Sequence, residues 1–168
     1  MIDFTALGLR IQIVDKEKRP MFDLGSPKLF PYSVDALKGL APILDKVPNK
    51  ISITGHTDST PYGTGATYTN WELSADRANA ARRALILGQY PEAKVSTVQG
   101  MGSSAPFYPD DPTAAINRRI AIIALKKAVS DALTNGTSGI SSQDLMGAQN
   151  PQTLIPEDPP PATYQRLH

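Results

Sequence analysis

Apolar and polar positions along the chain follow the two periods that distinguish strands from helices. Leu9, Ile11 and Ile13 alternate with polar neighbours, which is the period-two pattern of a half-buried strand. The three other predicted strands are the short apolar runs at residues 51–55, 95–98 and 118–125. The last run has apolar residues at both odd and even positions, so we expect it to be covered on both faces of a sheet.

Two longer segments carry apolar residues at helical spacing. The first covers residues 33–47, and Ser33 stands where its side chain could cap the helix. The second covers residues 70–87, because Thr69 and Glu72 have the three-residue spacing of a capping box at its start. Its many alanines favour a close approach to a sheet.

The order of these elements is β-α-β-α-β-β. This order predicts an α/β (α+β) two-layer sandwich, in which helices pack on one mixed sheet of about four strands. We expect the folded domain to cover residues 1–130. Residues 131–168 are rich in Gly, Ser, Pro and Gln and show no apolar periodicity, so we expect a flexible C-terminal tail there.

Composition and charge exclude several classes of function. The 168 residues carry a net charge of +1 and no basic block, which argues against nucleic-acid binding. The chain has no cysteine, so disulfides and thiolate metal sites are excluded. No apolar run approaches the roughly 18 residues of a membrane helix, and the N-terminus lacks a secretion signal. If Met1 is the natural start, these features predict a soluble cytoplasmic protein.

An acidic and a positively charged residue flank the loop between the second predicted strand and the second predicted helix. Asp58 follows the strand. Arg77 shares one stripe of the helix with Asn70 and Ser74, because residues spaced by four and seven positions lie within about 60° of one another. Such a pair would complement a zwitterion, with an ammonium group at Asp58 and a carboxylate at Arg77. The alternatives are an ordinary turn aspartate, a solvated arginine, or a simple ion pair between the two.

A metal site and a nucleophilic site have weaker support. His56 and Asp58 are two positions apart in a predicted strand, so they would share one face and could begin a metal site. A third ligand is needed, and the only other histidine is His168 in the predicted tail. The chain has no G-x-S-x-G elbow and no phosphate-binding loop. We expect Trp71 to be an anchor in the apolar core.

Four sequence blocks occur together in the order typical of one family. They are GHTD at residues 55–58, NWELSADRAN at 70–79, VQGMGSSAP at 98–106 and AINRRI at 115–120. Through these blocks the chain resembles the OmpA-like peptidoglycan-binding domain over residues 9–126. The strings LRIQIVD, RPMFDLGS and NWELSADRAN are most similar to the MotB branch of that family, which consists of flagellar stator proteins.

The resemblance implies the βαβαββ fold of that family and a non-catalytic function. The implied function is binding of peptidoglycan at the diaminopimelate of its peptide stem, with no cofactor, catalytic residue or metal. By motif, Asp58 and Arg77 are the two principal ligand contacts. The other implied ligand-binding residues are Thr57, Asn70, Leu73, Arg118 and, at the pocket edge, Arg82. Pro61 and Gly25 depart from the family pattern, so we expect a different pocket rim.

The MotB branch also implies a cellular context. The domain would anchor the flagellar motor stator to the cell wall, and its partners would be peptidoglycan, a second copy in a homodimer, a MotA-type stator protein and the flagellar P-ring. The implied location is the periplasm, behind an inner-membrane helix that would precede Met1, and it replaces the cytoplasmic expectation. Two alternatives are another OmpA-like wall anchor (an outer-membrane lipoprotein or a secretion-system component) and a metal-dependent cell-wall amidase.

Overall fold

The computed structural model describes residues 1–16, 18–62 and 67–135. Within these residues the strands are β1 (Ile2–Phe4), β2 (Gly8–Val14), β3 (Ile51–His56), β4 (Val95–Gly100) and β5 (Arg119–Leu125). The helices are α1 (Pro31–Asp45), α2 (Asn70–Leu87) and α3 (Lys127–Asn135), with short 3₁₀ helices at Glu92–Lys94 and Ala115–Asn117.

The strands form one mixed sheet in the spatial order β1-β2-β5-β3-β4. Strands β3 and β4 are parallel and are connected through α2, whereas all other neighbours are antiparallel. The two-layer α+β fold is confirmed, with five strands instead of about four. The pairing of β3 with β5 places His56 opposite Arg119, so the residues after β3 and before β5 meet at one end of the sheet.

Helix α2 lies directly against β3 and β4 because glycines face it. A Cβ at Gly55 would lie 2.0 Å from the carbonyl oxygen of Ser74, and a Cβ at Gly100 would lie 2.4 Å from the amide nitrogen of Ala75. Ala78 of the helix is fully buried in the core. The predicted close approach of an alanine-rich helix is therefore confirmed, and it fixes where the start of α2 stands relative to the sheet.

The starts of α1 and α2 differ in how they are capped. The predicted capping box of α2 is confirmed: Trp71 N donates to Thr69 Oγ1 over 3.2 Å, and Thr69 N donates to the Glu72 carboxylate over 2.7 Å. The predicted Ser33 cap of α1 is wrong, because that residue is buried inside the helix. The helix begins two residues earlier at Pro31, whose fixed φ and missing N–H suit a first turn.

One strand and one α-helix, besides the two short 3₁₀ helices, are additional to the predicted set. Strand β1 has three residues at the edge of the sheet, which is too short to show a period. Helix α3 crosses the predicted boundary between residues 130 and 131, so residues 131–135 are helical where composition predicts a tail. The rest of the predicted tail, residues 136–168, lies outside the described residues.

The apolar core lies between the sheet and helices α1 and α2. Its fully buried side chains include Leu37 of α1, Leu85 of α2, Ile53 of β3 and Ile120 and Ile122 of β5. The first four residues of β5 are buried at both odd and even positions, as the apolar pattern predicts. The core therefore holds β3 and β5 rigidly, and with them the residues that follow β3 and precede β5.

Candidate functional site

A cavity of about 780 Å³ opens where the loops after β2 and β3 meet the start of α2. Its polar lining consists of Asp15, Thr57, Asp58, Asn70, Arg77 and Arg118, together with Asp23 and Thr60. Its apolar walls include Phe22, Leu24, Phe30, Tyr62 and Leu73. The structure thus brings six of the seven predicted ligand-binding residues to one cavity that contains both carboxylates and guanidiniums.

Arg118 connects two of the carboxylates in this cavity. Its Nη1 donates to Asp58 Oδ2 over 2.7 Å, and its Nε donates to Asp15 Oδ2 over 3.0 Å. Burial disfavours the charged guanidinium, yet the hydrogen bonds to the two aspartates raise the pKa of Arg118 above its ordinary value. Arg118 is therefore a fixed positive charge, held between two acids at the end of the sheet.

Arg77 reaches from α2 to the loop after β2. Its Nε donates to the carbonyl of Ser26 over 3.0 Å and its Nη2 to the carbonyl of Asp23 over 3.4 Å. The guanidinium also lies 4.8 Å from the ring centroid of Phe22, a cation–π distance. Burial lowers the pKa of Arg77, and the negative charge of Asp15 opposes that shift. Arg77 therefore both lines the cavity and stabilises one of its walls.

Asp58 faces the cavity but forms no ion pair with Arg77 among the described residues; its partner is Arg118. Its other oxygen, Oδ1, accepts from Thr60 N over 3.0 Å. Asn70 Nδ2 donates to the carbonyl of Thr60 over 2.9 Å, so the start of α2 fixes the turn that follows β3. The alternative of a simple ion pair between Asp58 and Arg77 is not found among the described residues, because the β3–β5 register brings Arg118 to Asp58.

Thr57 and Leu73 line the same cavity as Asp58. Thr57 N donates to the carbonyl of Gly102 over 2.9 Å, which fixes the backbone. The Thr57 hydroxyl is buried and has no hydrogen-bond partner among the described residues. A buried polar atom without a partner costs free energy unless a ligand or water satisfies it. Leu73 is buried beside it and supplies apolar surface.

Three residues singled out in the sequence lie elsewhere. Arg82 is outside the cavity lining and its guanidinium pairs with Glu92, so its contact at the pocket edge stays a prediction. Ser74 lies on the predicted polar stripe, but it is fully buried and its Oγ accepts from Gly102 N over 2.9 Å. Trp71 is 55% exposed, so it is not the predicted core anchor.

His56 and Asp58 do not share one face of a strand as predicted. Strand β3 ends at His56, and Asp58 turns into the cavity, whose lining does not include the histidine. Burial, together with the positive charges of Arg119 and Arg10, lowers the pKa of His56 to about 3. Within the ranges described, no group of three His, Cys, Asp or Glu side chains could hold a metal ion.

Asp15 is the site residue that the motifs did not identify. It follows β2, is 5% exposed and accepts the Met21 backbone N–H as well as the Arg118 guanidinium. The available signal was an acid directly after a predicted strand, the same signal that identified Asp58. Its connection to Arg118 spans 103 residues of sequence, so the strand register is needed to find it.

The cavity rim contains both residues that depart from the family pattern. Gly25 has a φ of 60°, a conformation that favours glycine, and Pro61 lines the same cavity. Tyr62 Oη donates to the carbonyl of Gly25 over 2.7 Å, which joins the loop after β3 to the loop after β2. At this part of the rim, the backbone of Gly25 and the side chain of Tyr62 form the surface.

The fold and the cavity define a small α+β domain that gathers carboxylates and guanidiniums at one end of its sheet. The sequence model of the OmpA family matches residues 21–119, more than half of the chain, and the chain belongs to this family. None of the helices described here is long and apolar enough to cross a membrane.

Curated relatives and solved structures agree with this assignment. The chain is 42% identical to Motility protein B of Escherichia coli strain K12 over 152 residues, which cover 90% of this chain and 49% of that protein. It therefore spans about half the length of this relative. It is 45% identical to a putative truncated flagellar export/assembly protein LafU of the same strain over 132 residues, 79% of this chain and 62% of that protein.

The fold is also found in solved structures of low sequence identity. The periplasmic domain of Helicobacter pylori MotB superposes with a TM-score of 0.66 at 21% identity, covering 80% of this chain and 92% of that one. The cell wall anchor of the type VI secretion system of Pseudomonas aeruginosa gives a TM-score of 0.62 at 22% identity, covering 75% and 87%. These two comparisons establish the fold of the chain.

Proposed function

We propose that this domain binds peptidoglycan without catalysis, and that the whole protein thereby anchors a flagellar stator to the cell wall. The observation that carries the proposal is a cavity in which Arg118 lies between Asp15 and Asp58, with Arg77 in the same lining. Similarity to a motility protein and to a cell wall anchor of the same fold supports it.

The ligand class follows from the charges of the cavity. The carboxylates of Asp15 and Asp58 and the two guanidiniums favour a ligand that carries ammonium and carboxylate groups on one short chain, and diaminopimelate in the peptide stem has this chemistry. Asp58 accepts one hydrogen bond at each oxygen. A carboxylate has about four acceptor sites, so Asp58 retains capacity for an ammonium group.

The carboxylate of the ligand would lie against the guanidiniums. Arg77 Nη1 and Arg118 Nη2 have no hydrogen-bond partner within the described part of the chain, and the Thr57 hydroxyl is also unpartnered there. Each charge-assisted hydrogen bond contributes about 1.5–3 kcal/mol. Leu73 would pack against the methylene groups of the ligand.

A stator anchor needs a stronger attachment than one binding site of modest affinity provides. A homodimer presents two domains to the same wall, and the second then binds at a high effective concentration, which strengthens attachment without new contacts. We further propose that in the whole protein the domain lies in the periplasm, connected to an inner-membrane anchor, and that a MotA-type stator protein and the flagellar P-ring are its partners.

A sedimentation assay with purified cell-wall sacculi tests the proposal. The wild-type domain should pellet with the sacculi, whereas Asp58→Asn and Arg77→Ala should remain largely in the supernatant. Asp35→Asn and Arg83→Ala are the matched controls, since both residues are exposed and lie outside the cavity lining. Equal pelleting of all five proteins would remove the proposed site.

A second candidate is another wall-anchoring role with the same chemistry. The fold shared with the type VI cell wall anchor favours it. The natural sequence upstream of Met1 discriminates: an inner-membrane helix supports the stator, and a lipid-modified cysteine supports an outer-membrane lipoprotein. The amidase alternative is tested in the sacculus assay itself, because an amidase releases soluble peptides from the wall and a binding domain does not.

A further inference from the structure

The indole of Trp71 lies flat against Gly102. A Cβ built on Gly102 would sit 3.4 Å from Trp71 Cδ2 and 3.6 Å from both Cε2 and Cε3. These three atoms belong to the fused part of the indole and are almost equidistant, so the glycine meets the ring plane and not its edge. Gly102 has a φ of 52°, where a side chain is strained. The backbone thus covers one face of the ring.

The rest of the indole is open to solvent. Trp71 is 55% exposed, although large aromatic side chains usually bury most of their surface. Its backbone is fixed at both polar groups: its N–H donates to Thr69 Oγ1, and its carbonyl accepts from Ser74 Oγ over 2.9 Å. Trp71 is therefore a flat aromatic surface that is preorganised by its backbone hydrogen bonds and by its contact with Gly102.

This surface lies beside the cavity and shares its supports. Asn70, the preceding residue, lines the cavity, and so does Thr57, whose backbone N–H donates to the same Gly102 that supports the indole. The three aromatic residues of the cavity wall already have partners. Phe22 is buried against the Arg77 guanidinium, the Phe30 ring stacks 5.7 Å from that of Tyr32, and the Tyr62 ring packs 4.9 Å from that of Tyr68. Trp71 presents an open aromatic face next to the cavity.

We infer that Trp71 stacks on a sugar ring of the glycan strand while the cavity holds the peptide stem. This inference rests on the proposed binding of peptidoglycan. A stem of about three residues spans about 10 Å when extended, so a stem held in the cavity keeps its sugars within reach of the adjoining surface. The C–H face of a pyranose ring is apolar and flat, which matches an exposed indole. The cavity selects the peptide, and Trp71 adds affinity for the polymer that carries it.

Two soluble probes separate these contributions. One is a tripeptide with meso-diaminopimelate at its third position, and the other is the same tripeptide attached to its disaccharide. By calorimetry, the wild-type domain should bind the disaccharide form about fivefold more tightly. Trp71→Ala should bind the free tripeptide as the wild type does and lose the preference, and Trp71→Phe should retain part of it.

Fluorescence gives a second readout, because Trp71 is the only tryptophan of the chain. Its emission should change with the disaccharide probe and not with the free tripeptide. Phe4→Ala is the control, since Phe4 is an 87% exposed aromatic on edge strand β1, and this variant should keep the sugar preference. Equal wild-type affinities for both probes, with unchanged emission, would overturn the inference. Failure of the free tripeptide to bind would instead overturn the proposed function.

Discussion

Arg118 Nη1 lies 2.7 Å from Asp58 Oδ2, and this ion pair joins the residue before β5 to the loop after β3. The second carboxylate on Arg118 belongs to Asp15. The same lining holds Asp23 and Arg77, so three aspartates and two arginines are gathered in one cavity. A zwitterionic ligand can exchange contacts with such a cluster without leaving a buried charge unpaired.

Asp15 positions Arg118. The Asp15 side chain is 4% exposed, so Asp15→Asn should act through the arginine more than through the ligand. The substituted amide still offers an oxygen to Met21 N but removes the charge opposite Arg118. We expect the free energy of unfolding to fall by about 1–3 kcal/mol and the affinity for the diaminopimelate tripeptide to fall several-fold. Urea denaturation and calorimetry measure the two effects. Wild-type values for both would show that Asp15 has no positioning role.

Arg77 stabilises the wall of the cavity as well as lining it. Arg77→Ala removes the donor to Ser26 and the contact with Phe22, so we expect a loss of about 1–3 kcal/mol in the free energy of unfolding. Arg83→Ala, an exposed arginine on the same helix, should change it by less than about 0.5 kcal/mol. An Arg77→Ala protein as stable as the control would mean that Arg77 does not hold the loop after β2.

Gly55 sets the distance between α2 and the sheet. Gly55→Ala would place a Cβ 2.0 Å from the Ser74 carbonyl oxygen, so the helix must shift, at a cost of about 1–3 kcal/mol or more. Because α2 carries Asn70 and Arg77, ligand affinity should fall as well. Gly39→Ala is the matched control: nothing lies within 4 Å of its Cβ in α1, and it should stabilise the protein by about 0.5–1 kcal/mol. Similar denaturation midpoints for the two variants would contradict the close packing.

His56 makes stability depend on pH. Its pKa is about 3 in the folded protein against 6.5 ordinarily, so below pH 6.5 the unfolded chain binds a proton that the folded chain does not. Stability contributed by the neutral histidine is therefore lost as the pH falls from 6.5 towards 3, by up to about 1.4 kcal/mol per pH unit. Between pH 7 and 5, the wild type should lose on the order of 2 kcal/mol more than His56→Gln. Denaturation curves at both pH values measure this, and equal losses would exclude His56 as the cause.

Local features of the sequence predict the local parts of this fold well. Thr69 and Glu72 specify the start of α2 by themselves, since a capping box needs only neighbours in the chain. The Ser33 cap failed for a local reason too, because Pro31 competes for the first helical turn. Strand β1 could not be found from three residues that form an edge.

The sequence predicted most of the residues that line the cavity, but it did not predict which of their side chains pair with one another. Helical spacing correctly placed Asn70 and Arg77 on one side of α2, facing the cavity. The same spacing included Ser74, whose hydroxyl instead bonds the backbone of Gly102, a contact that depends on the packing of α2 against the turn after β4. The partner of Asp58 required the β3–β5 register. Such pairings depend on tertiary structure, which periodicity does not report.

The central claim is that the cavity recognises the two opposite charges of one ligand side chain. It is tested most directly by calorimetry with two tripeptides that differ only at the third residue, meso-diaminopimelate in one and lysine in the other. The wild-type domain should bind the diaminopimelate peptide at least about tenfold more tightly, because lysine lacks the carboxylate that Arg77 and Arg118 would hold. Asp58→Asn should weaken binding of both peptides, and Asp35→Asn should weaken neither. Equal wild-type affinity for the two peptides would contradict the account.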